Sequence, residues 1–406
     1  MMIKVRNSIN YKSQKINMYD ISLFLMLIAC FALDDFQYVG IIFQSIFVVL
    51  MEMALLMKAR HLDKWLVSYA VWLCVFIFFS LLSSTWASSL NKTAISSTLS
   101  VIQVGIISIC LIAYMNKFSS VEKLIQGYIL AAYIILIRFF VEVPISSLGN
   151  QSRFGNDSLF GKNETAVVLA ITALFIVWHL MEYRSTKWKP FQLISVFLFL
   201  LVTMLMGTKG GLYVFFIGLV VLLVGKASNP YKLLATIVGI LLSVIVLYSG
   251  IMKIRILYDS IGYRIEAMFY GLIGQSTDAS TSMRMKFANY AIQVFKDHPI
   301  FGVGQDGFRY INCYEFTYSH NNYTEILANL GIMGFVIYYA RYIKLISNSL
   351  RYHKIILLPL VLVIVLLCID FTGVTYSLEN EYFVMAIIIA LLRLVEQNKS
   401  STTEVD

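Results

Sequence analysis

The chain has 406 residues, 59% hydrophobic and 14% charged, with a net charge of +9 and a mean hydropathy of +0.76. Soluble domains carry about a quarter charged residues, so a water-soluble globular protein is excluded. The apolar runs are continuous, as in LLATIVGILLSVIVLY (233–248) and IILLPLVLVIVLLCI (355–369). An outer-membrane β-barrel would instead alternate apolar and polar, so only helices that satisfy their own backbone remain.

Taken in chain order, the basic tail MMIKVRNSINYKSQKINMYD reads as a retained cytoplasmic segment, because the apolar run after it lacks a small-residue cleavage site. Spans are expected near 18–33, 38–57, 65–84, 98–115, 124–142, 165–182, 191–206, 212–225, 233–250, 325–340, 355–369 and 382–395. This is an all-α, polytopic bundle of about 12 transmembrane helices. Placing both termini in the cytoplasm leaves most Lys and Arg, Arg341 and Lys344 among them, in cytoplasmic segments, as orientation by basic loops requires. The chain then divides into a bundle over 1–250, a large extracytoplasmic loop with amphipathic helices over 251–323, and spans 10–12 with a cytoplasmic tail over 324–406. A loop this long in a compact bundle is usually functional. Of the five cysteines, only Cys313 falls in a polar stretch, and no zinc or disulfide spacing exists.

Several residues before the large loop could carry chemistry. Asp34 and Asp35 form a short outer turn, read as a solvated loop rather than an acid–base pair. Arg138 lies within span 5, where a charge must face the bundle or pair, and Glu142 at i+4 is the expected partner. SRFGNDSLFGKNETA (152–166) offers Arg153, Lys162 and Asn163. MGTKGG (206–211) puts Lys209 in a turn whose glycines let amides face a ligand; the alternative is snorkelling to head groups.

Inside the large loop, MRMKFANYAIQVFKD (283–297) predicts an amphipathic helix with Met283, Phe287, Ala291 and Phe295 on one face. Ser280, Thr281 or Ser282 would cap it and Pro299 would stop it. Arg284 then falls in the first turn, where free amides favour an anion between helix and guanidinium; a solvated Arg is the plain alternative. Gly302, Gly304 and Gly307 spell G-x-G-x-x-G, but without a preceding strand they read as a tight turn, not a dinucleotide site. His320 starts the next bundle helix at the outer boundary, with Tyr323 and Thr324 on its face. Among the five histidines it alone is outside and not beside a proline. Taken alone, it reads more readily as an interfacial residue bonded to a neighbour.

DHPIFGVGQDGF (297–308), SHNNYTEILANLGIMGF (319–335), Arg284 upstream of both, LFGKN (159–163) and MGTKGG together resemble the Wzy-type polysaccharide polymerases and the related O-antigen ligases. The resemblance covers about a third of the chain, and Lys209 stands where an Arg is commoner. It implies a GT-C-like inverting, metal-independent glycosyltransferase with no cofactor. The enzyme would join undecaprenyl-pyrophosphate-linked repeat units on the outer face of the bacterial cytoplasmic membrane, in capsule or exopolysaccharide synthesis. His320 would be the base, since imidazole titrates near neutrality. Arg284, Arg153, Lys209, Arg138 and Arg264 would hold the pyrophosphate, as fixed cations can in place of a metal. Asn321, Tyr323, Glu325 and Asn163 would orient the acceptor. The implied partners are the lipid-linked glycans, membrane lipid, and flippase and chain-length regulator proteins; nucleic acid is not among them. An O-antigen ligase, or a flippase or transporter for lipid-linked sugars, remains the alternative. The flippase is less favoured, since the inverted repeats of many transporters are not found.

Overall fold

The computed structural model describes residues 16–36, 38–56, 63–87, 92–118, 121–144, 159–161, 163–182, 187–272 and 279–403. Among these the secondary structure is entirely helical. The twelve expected spans correspond to α1 (Met18–Ala32), α2 (Val39–Leu56), α3 (Lys64–Ser83), α4 (Lys92–Phe118), α5 (Val121–Glu142), α6 (Asn163–Glu182), α7 (Lys189–Leu205), α8 (Lys209–Gly225), α9 (Pro230–Lys253), α12 (Asn322–Tyr352), α13 (Leu358–Ile369) and α14 (Glu379–Thr403). The two longest described helices of the large loop, α10 (Tyr263–Leu272) and α11 (Ala279–Asp297), lie between α9 and α12. Among the described residues, six helices are long and apolar enough to cross a membrane, and five more are shorter and apolar. The chain is a polytopic helical membrane protein.

The helices form two units. One comprises 48–121 and 279–406, the other 11–47 and 122–278. The large loop is therefore not a body of its own, because 251–272 packs with the second unit and 279–323 with the first. In the second unit α6 is the central helix, packed by α7, α8 and α1. Its apolar window is 72% buried, whereas that of α9 is 6% buried at higher hydropathy. Lipid is as apolar as a bundle core, so hydropathy does not distinguish a central helix from a lipid-facing one.

In the first unit α12 packs on α3, α11, α13 and α14, and α4 packs on α14. The Trp72 indole donates to the Ile337 carbonyl at 2.8 Å, tying α3 to α12. The span expected over 325–340 in fact runs to Tyr352. Arg341 is therefore not in a cytoplasmic loop. It is buried in the bundle with its guanidinium 5.2 Å from the Tyr69 ring, where the ring's negative face partly compensates the lost water.

At Gly331 the backbone of α12 leaves helical geometry, with φ 64 and ψ −168. The loop after α11 enters this break. Ile332 and Met333 donate their amides to the carbonyls of Pro299 and Ile300, at 2.9 and 3.2 Å. In return Val303 and Gly304 donate to the carbonyls of Ala328 and Asn329, at 3.0 and 2.8 Å. A Cβ on Gly331 would lie 2.3 Å from the Ile300 carbonyl oxygen, and one on Gly302 would lie 2.4 Å from the Asn329 backbone. Neither backbone can retreat without breaking those bonds. Gly331→Ala should thus cost on the order of 1–3 kcal/mol, the scale of strain at a glycine-only conformation. Thermal unfolding of the detergent-purified protein should show a lowered Tm; an unchanged Tm would mean that α12 is not broken at this point.

Candidate functional site

The glycine-rich segment 302–307 is the tight turn expected, with Gly302 at φ 65 and Gly304 at φ 89. It presents Gln305 and Asp306 to a buried polar layer at one end of the first unit. The Gln305 amide donates to Ser83 Oγ at 3.1 Å, and its Nε2 donates to Ser97 Oγ at 2.9 Å and Tyr376 Oη at 3.2 Å. These contacts gather the α3 and α4 ends, the 298–321 loop and the α13–α14 connection. Asn322 strengthens the same assembly: its amide donates to the Asp370 carbonyl at 2.8 Å, and its Oδ1 accepts from the Thr375 and Tyr376 amides.

His320 stands in this assembly, but not on a helix. It precedes α12, and Asn321 is the N-cap, its Oδ1 accepting from the Thr324 amide at 3.1 Å. His320 therefore does not share with Tyr323 and Thr324 the helical face that the sequence predicts. An Asn that can cap stops the helix one residue short of it. His320 instead takes a left-handed backbone, φ 59. Its ring lies 5.9 Å from Phe287, nearly parallel at 23°, and 4.4 Å from Tyr318. Buried Glu325 braces the segment from below, accepting from the Ser319 amide at 2.7 Å and from Asn329 Nδ2 at 2.9 Å. Tyr323 turns to α13, donating to the Leu367 carbonyl at 2.8 Å.

Arg284 reaches this region from α11, where Nη1 lies 3.5 Å from the Thr372 carbonyl. The helix begins at Ala279, so Ser280, Thr281 and Ser282 are inside it and Arg284 is in the second turn. The expected first-turn dipole argument does not apply, because Ala279 extends the helix past the residues suited to cap it. The buried face is Phe287, Ala291 and Val294, not Phe295. Arg284 and Phe287, three residues apart, share a side of α11, and Phe287 stacks on the imidazole.

The second unit holds the other expected cations. Lys209 is the first residue of α8, and its Nζ lies 3.5 Å from the Arg264 carbonyl. Arg264 donates Nη1 to the Gly207 carbonyl at 3.3 Å and Nε to Tyr263 Oη at 2.7 Å. Structure thus brings Lys209 and Arg264 together around one turn. Asn163 is the first residue of α6. Arg138 bonds Glu142 as expected, and also Asp35 at 2.8 and 2.7 Å and the Ala32 carbonyl. Asp35 is thereby paired rather than solvated. All five guanidinium N–H donors of Arg138 are spent inside the protein. Arg153 and Lys162 lie outside the described residues. His298 lines an apolar cavity of about 620 Å³ with Phe79, Leu82 and Trp86.

With this geometry in place, one comparison is informative. Residues 193–339 match the family model described as O-antigen ligase. The match covers about a third of the chain, consistent with the O-antigen ligase-like superfamily, and supports a membrane glycan-processing enzyme. It includes Lys209, Arg264, Arg284, His320, Asn321, Tyr323 and Glu325, and leaves out Arg138, Arg153 and Asn163. No curated protein matched in sequence.

Sequence reasoning missed Asp306 and Arg309. Asp306 is buried with φ 54, and Arg309 Nε lies 3.4 Å from its Oδ1. The i,i+3 spacing was the available signal. Arg309 also spans the Phe316 and Tyr318 rings, at 5.8 and 5.9 Å, so it reaches the imidazole's neighbour. Burial pushes the Asp306 carboxyl above its ordinary range, against the pull of Arg309. A carboxyl raised in this way binds its proton more tightly folded than unfolded. Its contribution to stability is full below the ordinary pKa and is lost as pH rises through the raised one. Asp306→Asn should therefore reduce the gain in Tm of the purified protein between neutral pH and pH ~4. Identical pH dependence in the two proteins would show that the carboxyl is not desolvated.

Proposed function

We propose that the chain is a polysaccharide polymerase, joining undecaprenyl-pyrophosphate-linked repeat units on the outer face of the cytoplasmic membrane. One observation carries the reading: a single helix, α11, bears Arg284 and packs Phe287 against His320. That arrangement suits glycosyl transfer from a diphosphate. The acceptor hydroxyl attacks the anomeric carbon with inversion and gives its proton to the imidazole of His320. The bond from that carbon to the diphosphate oxygen breaks, and the negative charge left on the oxygen falls to Arg284, whose planar fork suits phosphate. Glu325 and Asn321 fix the backbone on either side of His320, so the base is held rather than searching.

The ligase alternative draws on the family description itself. Deletion of the gene separates the two: single-repeat glycans accumulating on lipid indicate a polymerase, whereas long chains that fail to be attached indicate a ligase.

His320→Ala should lower product per unit of membrane-inserted protein by roughly 10²–10⁴. Arg284→Ala should lower it by roughly 10²–10³, as for a lost oxyanion contact, and Arg284→Lys should restore little. Wild-type product from either alanine variant at normal abundance removes that residue from the reaction. The proposed orientation is tested with exposed Cys313. A membrane-impermeant maleimide should label it in intact cells and miss a cysteine placed at Asn398. The reverse pattern puts the site on the wrong face.

A further inference from the structure

Around His320 the 310–318 loop carries a set of aromatic rings that the transfer chemistry does not use. Tyr310, Tyr314 and Phe316 are 39%, 48% and 61% exposed, although this loop lies outside the apolar helices. Exposed apolar surface of this kind marks an interaction site more often than an accident. The rings are also held in place. Tyr310 and Phe316 meet edge to face at 5.0 Å and 87°, Tyr314 meets Tyr290 of α11 at 6.0 Å and 84°, and the Tyr310 hydroxyl accepts from Thr93 at 2.9 Å. Arg309 lies over Phe316 and over Tyr318, and Tyr318 touches the imidazole. The exposed rings therefore form one chain of contacts that ends at His320.

We propose that this loop is a saccharide-binding platform, on which a pyranose of the acceptor glycan stacks. A pyranose has a face of C–H groups, which the negative face of an aromatic ring attracts, and a rim of hydroxyls, which need hydrogen-bonding groups beside the ring. Tyr314 and Phe316 supply the first; Arg309 and exposed Glu315 supply the second. Insertion of the same rings among lipid acyl chains is disfavoured by exposed Glu315, next to Tyr314 and Phe316 in sequence, whose carboxylate would be desolvated with them. The proposal rests on the transferase reading only for the identity of the sugar as an acceptor.

The test uses the full chain in detergent, probed with free repeat-unit oligosaccharide released by mild acid from the producing cells' lipid-linked intermediates. Saturation-transfer NMR reads which sugar protons meet the protein, and titration gives Kd. Wild type should show transfer to C–H protons of one pyranose face. Tyr314→Ala with Phe316→Ala should weaken Kd about tenfold or more, the effect of roughly 1.4 kcal/mol, while Phe316→Tyr should bind as wild type and report that the fold is kept. No binding by wild type, or equal binding by the double variant, overturns the platform, including the case in which the rings only anchor in lipid. Product assays run in parallel keep the two readings apart. A wild type that makes polymer while the double variant binds sugar normally sinks the platform alone; ring-dependent binding in a chain that transfers nothing sinks the transferase alone.

Discussion

The break in α12 exchanges two helical hydrogen bonds for four. Amides of Ile332 and Met333 would ordinarily donate to the carbonyls of Ala328 and Asn329, one turn earlier. Those carbonyls are instead taken by Val303 and Gly304, and the two amides by Pro299 and Ile300. Irregular backbone within a membrane bundle is tolerated only when every polar group finds a partner in protein. Here the helix and the loop satisfy each other, and each would be left with orphaned groups alone. The loop that carries the Gln305–Asp306 turn is consequently fixed to the same helix whose N-terminus follows His320.

From that junction the polar layer spreads through side-chain amides and carboxylates. Asn329 sits at its centre: its carbonyl accepts from Gly304, its Oδ1 from the Phe308 amide at 2.7 Å, and its Nδ2 donates to Glu325. Glu325 in turn holds Ser319, beside His320. A single asparagine thus links the turn, the broken helix and the segment of the candidate base. A buried group deprived of its partner costs about 1–3 kcal/mol, more than the same bond contributes when made. Such a layer resists small rearrangements, which is what a base with a fixed target requires.

Much of this was legible from residues alone, and the failures have common causes. The twelve helices follow from continuous apolar runs, which nothing but a self-satisfied backbone can place in lipid. The turn at Gly302 and Gly304 followed from the missing strand before it. What could not be read is where polar side chains meet. Gly331 looks like any glycine in a membrane helix, where small residues are common; only the incoming loop makes it a break. Arg341 sits between two regions with the composition of span and loop, and the helix simply continued through it. His320 lay one residue too early for its helix, because Asn321 caps better than it does. The partition of the large loop into two units is long-range packing, to which local periodicity carries no information.

Three arginines show why a charge in or near a membrane is not by itself a functional signal. The rule that such residues mark function rests on their cost, and cost can be offset in different ways. Arg138 is compensated entirely within the protein, by two carboxylates and a carbonyl that use every donor it has. It braces the α1–α2 turn against α5, and a diphosphate could be bound there only by displacing Asp35 or Glu142. Arg341 is compensated least, by the Tyr69 ring face, deep in a helix packed on its neighbours. Arg309 differs from both. Its carboxylate partner is buried and its remaining contacts are ring faces near the surface, so the same guanidinium can turn donors outward to a ligand's hydroxyls. The useful question for each cation is therefore how many of its donors the fold itself has already claimed.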